Sequence, residues 1–150
     1  MTIRRMHASE LPELLRLYAF LHPKGPAVAS TDPAARRIWD EITANPSLRY
    51  YVVEEQAQLV ATCNLALIPN LTRGTKPFGV IENVVTDPGF RKRGFGTSVV
   101  RHALSEAWDA GCYKVMLATG SKREETLRFY EHAGFQRGVK TGFVAYPDTV

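Results

Sequence analysis

Residues 80–111 constrain the fold more than any other part of this 150-residue chain. They open on Val80-Ile81-Glu82-Asn83-Val84-Val85, whose β-branched run reads as a strand interior. Thr86-Asp87-Pro88-Gly89 breaks that strand, since proline and glycine together punctuate a turn. Arg91-Lys92-Arg93-Gly94-Phe95-Gly96-Thr97 comes next, and then Val99, Val100, Ala103, Leu104, Ala107 and Trp108 recur at helical spacing. Gly111 suits a left-handed cap at the end of that helix. A strand, a basic glycine-bearing loop and a helix start therefore succeed one another directly. A helix N-terminus offers unpaired N–H groups and about half a positive charge, which suits a phosphate. Gly94 and Gly96 let the backbone approach an anion with no Cβ between. The sequence predicts an anion-binding turn.

Neither common phosphate fingerprint is present. GxxxxGK[ST] does not occur, and the dinucleotide pattern lacks its third glycine. Arg93-Gly94-Phe95-Gly96 matches the first four positions of an RNA-recognition signature. The match then fails, because Thr97, Ser98 and Val100 stand where an aromatic, a valine and an aromatic belong. The residues from Thr97 onward have a helical period, whereas that signature needs a strand with stacked aromatics. Taken alone, the loop reads first as a solvated basic turn ahead of an ordinary helix.

A second segment accompanies it, Phe129-Tyr130-Glu131-His132-Ala133-Gly134-Phe135. The [Q/R]-x-x-G-x-[G/A] pattern at 91–96 behind a valine-rich strand resembles the coenzyme A pyrophosphate loop of the GNAT superfamily of acyl-CoA N-acyltransferases. The 129–135 segment resembles that family's F-Y-x-x-x-G-F. The resemblance is specific over 80–135 and only topological before it. It implies acetyl-CoA as co-substrate, held by Arg91, Lys92, Arg93, Gly94, Phe95, Gly96 and Thr97. The backbones of Val84 and Val85 are implied to bond the pantetheine arm, in a gap where strands 80–85 and 113–118 run parallel and splay. Tyr130 is implied as the acid toward the leaving sulfur. Many relatives carry asparagine where Arg123 stands. Arg123 either pairs with a CoA phosphate or caps locally with Glu124.

Composition sets the remaining bounds. Hydrophobic content of 45% and charged content of 23% are ordinary for a globular chain, and 150 residues suit a single domain over 1–150. A net charge of +4, partly in Arg91-Lys92-Arg93, favours one acidic ligand over a broad nucleic-acid face. Cys63 and Cys112 form no disulfide framework and lack metal-ligand spacing, so free thiols and no metal are expected. MTIRRMHASE has no apolar leader core, and no apolar run approaches the ~20 residues that span a bilayer. The expectation is a cytoplasmic protein with no membrane or nucleic-acid partner.

In chain order, 2–6 reads as a first strand, and Ser9 as the N-cap of a helix with Leu11, Leu14, Leu15, Tyr18 and Leu21 on one face. Asp32-Pro33 opens a second helix carrying Ala35, Ile38, Trp39 and Ile42. Residues 49–54 and 58–68 read as a hairpin turning near Gln56-Ala57. The resemblance implies that the segment between the first two helices and the loop 69–79 line the acceptor site, where they offer His22, Lys24, Asn70, Arg73 and Lys76, polar groups in no diagnostic pattern. Residues 113–118 form a strand, Ser121 to Glu124 a capping box, and 143–146 a last short strand. The class is α+β, with a mixed, mainly antiparallel central sheet flanked by helices. An uncovered edge at that last strand points to a homodimer.

The chemistry can be built from its demands. An attacking amine must be neutral, and a lysine-like amine of pKa ~10.4 lies roughly 4.6 kcal/mol from that form at pH 7. Glu82 is the carboxylate on the central strand that can serve as base, directly or through a water. Glu82 reads equally as a half-buried acid paired with a basic side chain. Asn83 replaces an aspartate of the aminosugar-type relatives. Gly111-Cys112-Tyr113-Lys114-Val115 and 81–85 resemble glucosamine-phosphate acetyltransferases. The resemblance thus implies N-acetyl transfer to a small primary amine or aminosugar by direct attack in a ternary complex. A protein or peptide amine, or a non-catalytic acyl-CoA sensor, are the alternatives.

Overall fold

The computed structural model describes residues 1–147. One sheet runs in the order β1 (Thr2–Arg5), β2 (Leu48–Glu55), β3 (Gln58–Ile68), β4 (Phe78–Thr86) and β5 (Val115–Met116). Its first three pairings are antiparallel, and β4–β5 is parallel. Helices α1 (Leu11–Leu21) and α2 (Pro33–Ala44) precede β2, and α3 (Phe95–Asp109) joins β4 to β5. Helix α4 (Glu124–Ala133) comes last. This is the predicted α+β class with a mainly antiparallel sheet. The chain divides into two compact units, one over Met1–Leu117 and one beginning at Ala118.

In the first unit, alternation along β2 shows what covers each face of the sheet. Tyr51 meets α3, its ring 4.9 Å from that of His102 and its hydroxyl 3.0 Å from Glu106. Val52, the next residue, clusters with Leu17 of α1, Leu59 and Val85. With helices on both faces, the middle of β3 is buried throughout, from Leu59 to Leu65. Leu17 is fully buried, so Leu17→Ala would cost about 2–5 kcal/mol. A second cluster joins Leu11, Leu14 and Trp39, with the Trp39 indole N–H donating to Ala8 O at 2.8 Å. Asp32 caps α2 as expected, accepting from Ala34 N at 2.8 Å ahead of Pro33.

Four local expectations differ. Ser9 is not a cap: it lies inside a one-turn 3-10 helix, and the Glu10 carboxylate accepts from His7 N at 2.7 Å instead. The strand expected over 113–118 pairs only at Val115–Met116, because only Gly79 and Val80 of β4 face it. Ser121 sits two residues before Arg123, the N-cap of α4, so no capping box forms. Its hydroxyl accepts from Arg123 N, while Glu124 pairs with Arg128 and Arg137. Residues 143–146 form no strand, since no described strand ladders against this Gly-flanked segment.

The hairpin turn is where expected, with a local cost. Gln56 and Ala57 both lie at positive φ, 51° and 61°, as a two-residue turn of the tight mirror-image type demands. Neither is glycine or asparagine, so each carries a steric penalty on the order of 1 kcal/mol. Replacing the pair by Asn-Gly is therefore expected to raise the melting temperature by about 4–8 °C, read by calorimetry. An unchanged or lower value would mean that this turn is unstrained.

In the second unit, Gly134 ends α4 at φ 120°, and Phe135 N donates back to Tyr130 O at 3.1 Å. Arg137 folds the segment after Gly134 onto α4 through Glu124 and Glu131, each at 3.0 Å. Beyond it Val139, Phe143, Val144 and Tyr146 are exposed, Phe143 at 94%.

Candidate active site

The predicted anion turn is built as a cradle. Asp87 ends β4 and starts it: its N–H donates to Val60 O at 2.8 Å, and its carboxylate accepts from Gly89 N at 2.9 Å. The other carboxylate oxygen takes Arg16 Nη1 of α1 at 2.8 Å. Arg16 also donates to Leu59 O at 2.6 Å and to Glu13 at 2.9 Å, so one guanidinium ties α1 to the loop and the hairpin. Lys92 and Gly94 then take positive φ, 60° and 84°, turning the chain into α3. Ser98 N donates to Gly94 O at 2.9 Å, the first intrahelical bond. The N–H groups of Phe95, Gly96 and Thr97 precede that bond and stand at the positive end of a 15-residue helix. A Cβ at Gly94 would meet no atom within 4 Å, so what excludes other residues there is φ.

The basic residues divide their labour. Arg93 lies over the rings of Phe90 and Phe95, 5.1 and 5.0 Å from their centres, and reaches Glu55 at 3.7 Å. Arg91 donates to Thr86 O at 3.3 Å, and Lys92 is exposed beside it. Phe95 is buried at the head of α3, so its ring offers no stacking platform of the kind the RNA-recognition signature requires.

Beside the cradle, β4 carries the second feature. Thr62 pairs with Val85 and Asn64 with Glu82, which leaves Asn83 and Val84 opposite Cys63 alone. This is a β-bulge, and Asn83 occupies it at φ 52°, a conformation that asparagine tolerates better than most residues. The parallel partner strand meets β4 only at Gly79 and Val80. Beyond that point no described strand pairs with the β5 side of β4. Glu82 is exposed, Val84 half-buried, and Val85 buried in the core.

A polar group that the sequence did not single out adjoins Glu82. Asn64 is 9% exposed, and its carboxamide oxygen has no hydrogen-bond partner. The buried hydroxyl of Tyr18 has none either, although the Tyr50 hydroxyl and the Asn83 side chain lie beside it. Burial pushes both phenols above the usual tyrosine range, so each stays a neutral donor. Burial likewise holds Cys63 as a thiol, pushed up to about 12, and it donates to Val99 O. Cys112 is also buried, and both cysteines are free.

In the second unit, Tyr130 is half-buried, with its ring 4.8 Å from Phe129 and 6.4 Å from Phe135. Arg123 is 74% exposed and pairs with Glu125 at 3.1 Å rather than with Glu124. Of the side chains expected to line an acceptor site, Asn70 is used within its own loop, donating to Thr72 and to Lys76 O. Arg73 lies 5.9 Å from the centre of the Tyr113 ring.

A left-handed glycine turn thus feeds a helix N-terminus beside a strand that meets its parallel neighbour at only two positions. The chain matches the Acetyltransferase (GNAT) family over residues 11–135 and belongs to it. A solved putative acetyltransferase from Agrobacterium tumefaciens str. C58 superposes with a TM-score of 0.92 at 41% identity, over 97% of this chain and 99% of that one. Glucosamine 6-phosphate N-acetyltransferase 1 of Oryza sativa subsp. japonica is 29% identical across 92% of this chain and 85% of its own. The enzyme called glucosamine 6-phosphate N-acetyltransferase in Trypanosoma brucei brucei is 37% identical over 79 residues. That match covers 53% of this chain and about half of the trypanosome enzyme, 52%. Among the described residues no helix is long and apolar enough to cross a membrane.

Proposed function

We propose that this protein is an acetyl-CoA-dependent N-acetyltransferase whose acceptor is the primary amine of a small molecule, an aminosugar before others. The observation that carries the reading is the cradle at 91–97, with Gly94 at φ 84° and three N–H groups ahead of the first helical bond. Its donors fit a pyrophosphate: Arg91 and Lys92 supply charge, while Arg93 braces the loop from Phe90 and Phe95. The free edge of β4 suits an amide-bearing arm bonded by the backbones of Val84 and Val85. Arg123 we assign to a CoA phosphate, at the cost of its exposed pair with Glu125. The likeness to two glucosamine 6-phosphate N-acetyltransferases supports the aminosugar.

Bound acetyl-CoA supplies an activated thioester carbon. The amine nitrogen forms a bond to that carbon, the carbon–sulfur bond breaks, and amide and free thiol are the products. Glu82 takes the proton the nitrogen gives up, directly or through a water, which its exposure on β4 permits. Tyr130, by its place in the F-Y-x-x-x-G-F segment, gives a proton to the departing sulfur. Solvent then returns Glu82 and Tyr130 to their starting states, so no proton is gained or lost by the enzyme. The experiment is a thiol-release assay with acetyl-CoA and a panel of amines. Release that requires both amine and protein supports the reading, and none with any amine sinks it.

Two further features belong to the proposal. Two buried free thiols suit a reducing cytoplasm. The exposed side chains of Phe143, Val144 and Tyr146 support a homodimer, because so much apolar surface in one short segment is unusual on a monomer. Light scattering at micromolar concentration is expected to report a dimer, and Phe143→Asp a monomer. A monomer for the unaltered protein across that range rejects the dimer.

A further inference from the structure

Four elements of the first unit bring polar side chains to one place, and the protein leaves them unfinished. Tyr18 comes from α1, Tyr50 from β2, Asn64 from β3, and Glu82 and Asn83 from β4. Asn64 and Glu82 are directly opposed across the β3–β4 ladder, so their side chains lie on the same face. The Tyr18 hydroxyl lies within reach of the Tyr50 hydroxyl and the Asn83 side chain and interacts with both, without a well-formed bond to either. Yet Tyr18 Oη and Asn64 Oδ1 are the two buried side-chain polar atoms without a partner among the described residues.

Such atoms are costly, because burial removes their water and no well-formed bond replaces it. Two on neighbouring elements, next to the carboxylate proposed as base, are complementary to something the protein itself does not supply. A carboxamide turned end for end would present a donor at the same place, and the demand for a polar group stands. A bare alkylamine cannot meet that demand once its nitrogen is engaged at Glu82. An amine flanked by hydroxyls can, since each hydroxyl both donates and accepts. Sites built to bond a substrate hydroxyl discriminate strongly against analogues that lack it, because the site's own groups are then left unpaired.

We infer that Tyr18 and Asn64 form a hydroxyl-reading subsite beside Glu82, selecting a small amine that carries neighbouring hydroxyl groups. This rests on the proposed function, with the acceptor lying at Glu82. It assigns the choice of acceptor to two residues that take no part in proton transfer.

The test uses the full-length protein saturated with coenzyme A, so that binding is read without turnover. Glucosamine and cyclohexylamine are titrated by calorimetry into wild type, Tyr18→Phe and Asn64→Leu, and each protein is also melted without ligand. Each substitution is expected to weaken glucosamine binding tenfold or more, with coenzyme A and cyclohexylamine affinities unchanged. Each should also raise the melting point of the ligand-free protein by a few degrees, because a costly unpaired group has been removed. If the two atoms merely hold a buried water, the substitutions lower the melting point and leave glucosamine binding intact, and the inference falls. It falls equally if wild type binds both amines alike, even where acetyl transfer is observed. Conversely, glucosamine binding lost in both variants, in a protein that releases no thiol, keeps the subsite and removes the proposed activity.

Discussion

Tyr130→Phe is expected to lower kcat by about 10²–10⁴-fold while acetyl-CoA affinity and thermal stability change little. The substitution keeps the ring that meets Phe129 and Phe135 and removes only the hydroxyl. If that hydroxyl delivers the proton to sulfur, the defect persists at high pH and shrinks when a thioester with a better leaving thiol replaces acetyl-CoA. Glu82→Gln has the opposite signature. Its defect is largest near neutral pH and recovers as pH rises, because the free amine then becomes abundant without help. For an acceptor of pKa ~10.4 up to roughly 4.6 kcal/mol is recoverable between pH 7 and the amine pKa, against under about 1 kcal/mol for pKa ~7.7. Paired pH–rate profiles with two such acceptors separate the roles. Full activity in Tyr130→Phe makes that tyrosine a packing residue, and a wild-type profile in Glu82→Gln moves the base elsewhere.

Valine at position 94 or 96 is expected to abolish stabilisation by acetyl-CoA. In the unaltered protein, ligand at about 100 times its dissociation constant adds roughly 2.7 kcal/mol. That corresponds to a rise of about 5–10 °C for a chain of this size. At Gly94 a β-branched residue resists φ 84°, so the turn that aims the helix N–H groups is lost. At buried Gly96 the added methyl groups crowd the first turn of α3. Both variants start from lower melting points, and the diagnostic quantity is the ligand-induced shift in each. Equal shifts in all three proteins would place acetyl-CoA away from this loop.

Much of this site was readable from residue order alone, for a physical reason. A valine-rich strand, a Pro-Gly break, two glycines and a helical period are local signals, and the structure keeps every one between Val80 and Gly111. The Asp32-Pro33 cap and the hairpin turn at Gln56-Ala57 were local in the same way. The features that escaped depend on partners distant in sequence. Arg16 acts through Asp87, 71 residues on, and nothing in an amphipathic helix distinguishes it from a solvated arginine. Tyr18 belonged to an apolar stripe in which a hydroxyl leaves no trace. Asn64 did leave a signal, being the lone amide in Leu59-Val60-Ala61-Thr62-Cys63-Asn64-Leu65. The strand expected at 143–146 failed for a related reason: alternation describes a segment's capacity to pair and does not supply the partner.

The bulge at Asn83 shows how sequence, strain and site connect. Asparagine at φ 52° lets β4 carry one extra residue, and that residue changes which side chains face Asn64. A neighbour of the proposed base thus has a backbone reason to be asparagine, apart from the loss of a carboxylate there.

The most direct test of the account is product analysis by mass spectrometry of protein, acetyl-CoA and glucosamine 6-phosphate incubated together. An N-acetylated sugar phosphate and one free thiol for each are expected, both lost in Tyr130→Phe. Acetyl-CoA that binds the loop yet yields no N-acetylated product with this or any other primary amine would contradict it.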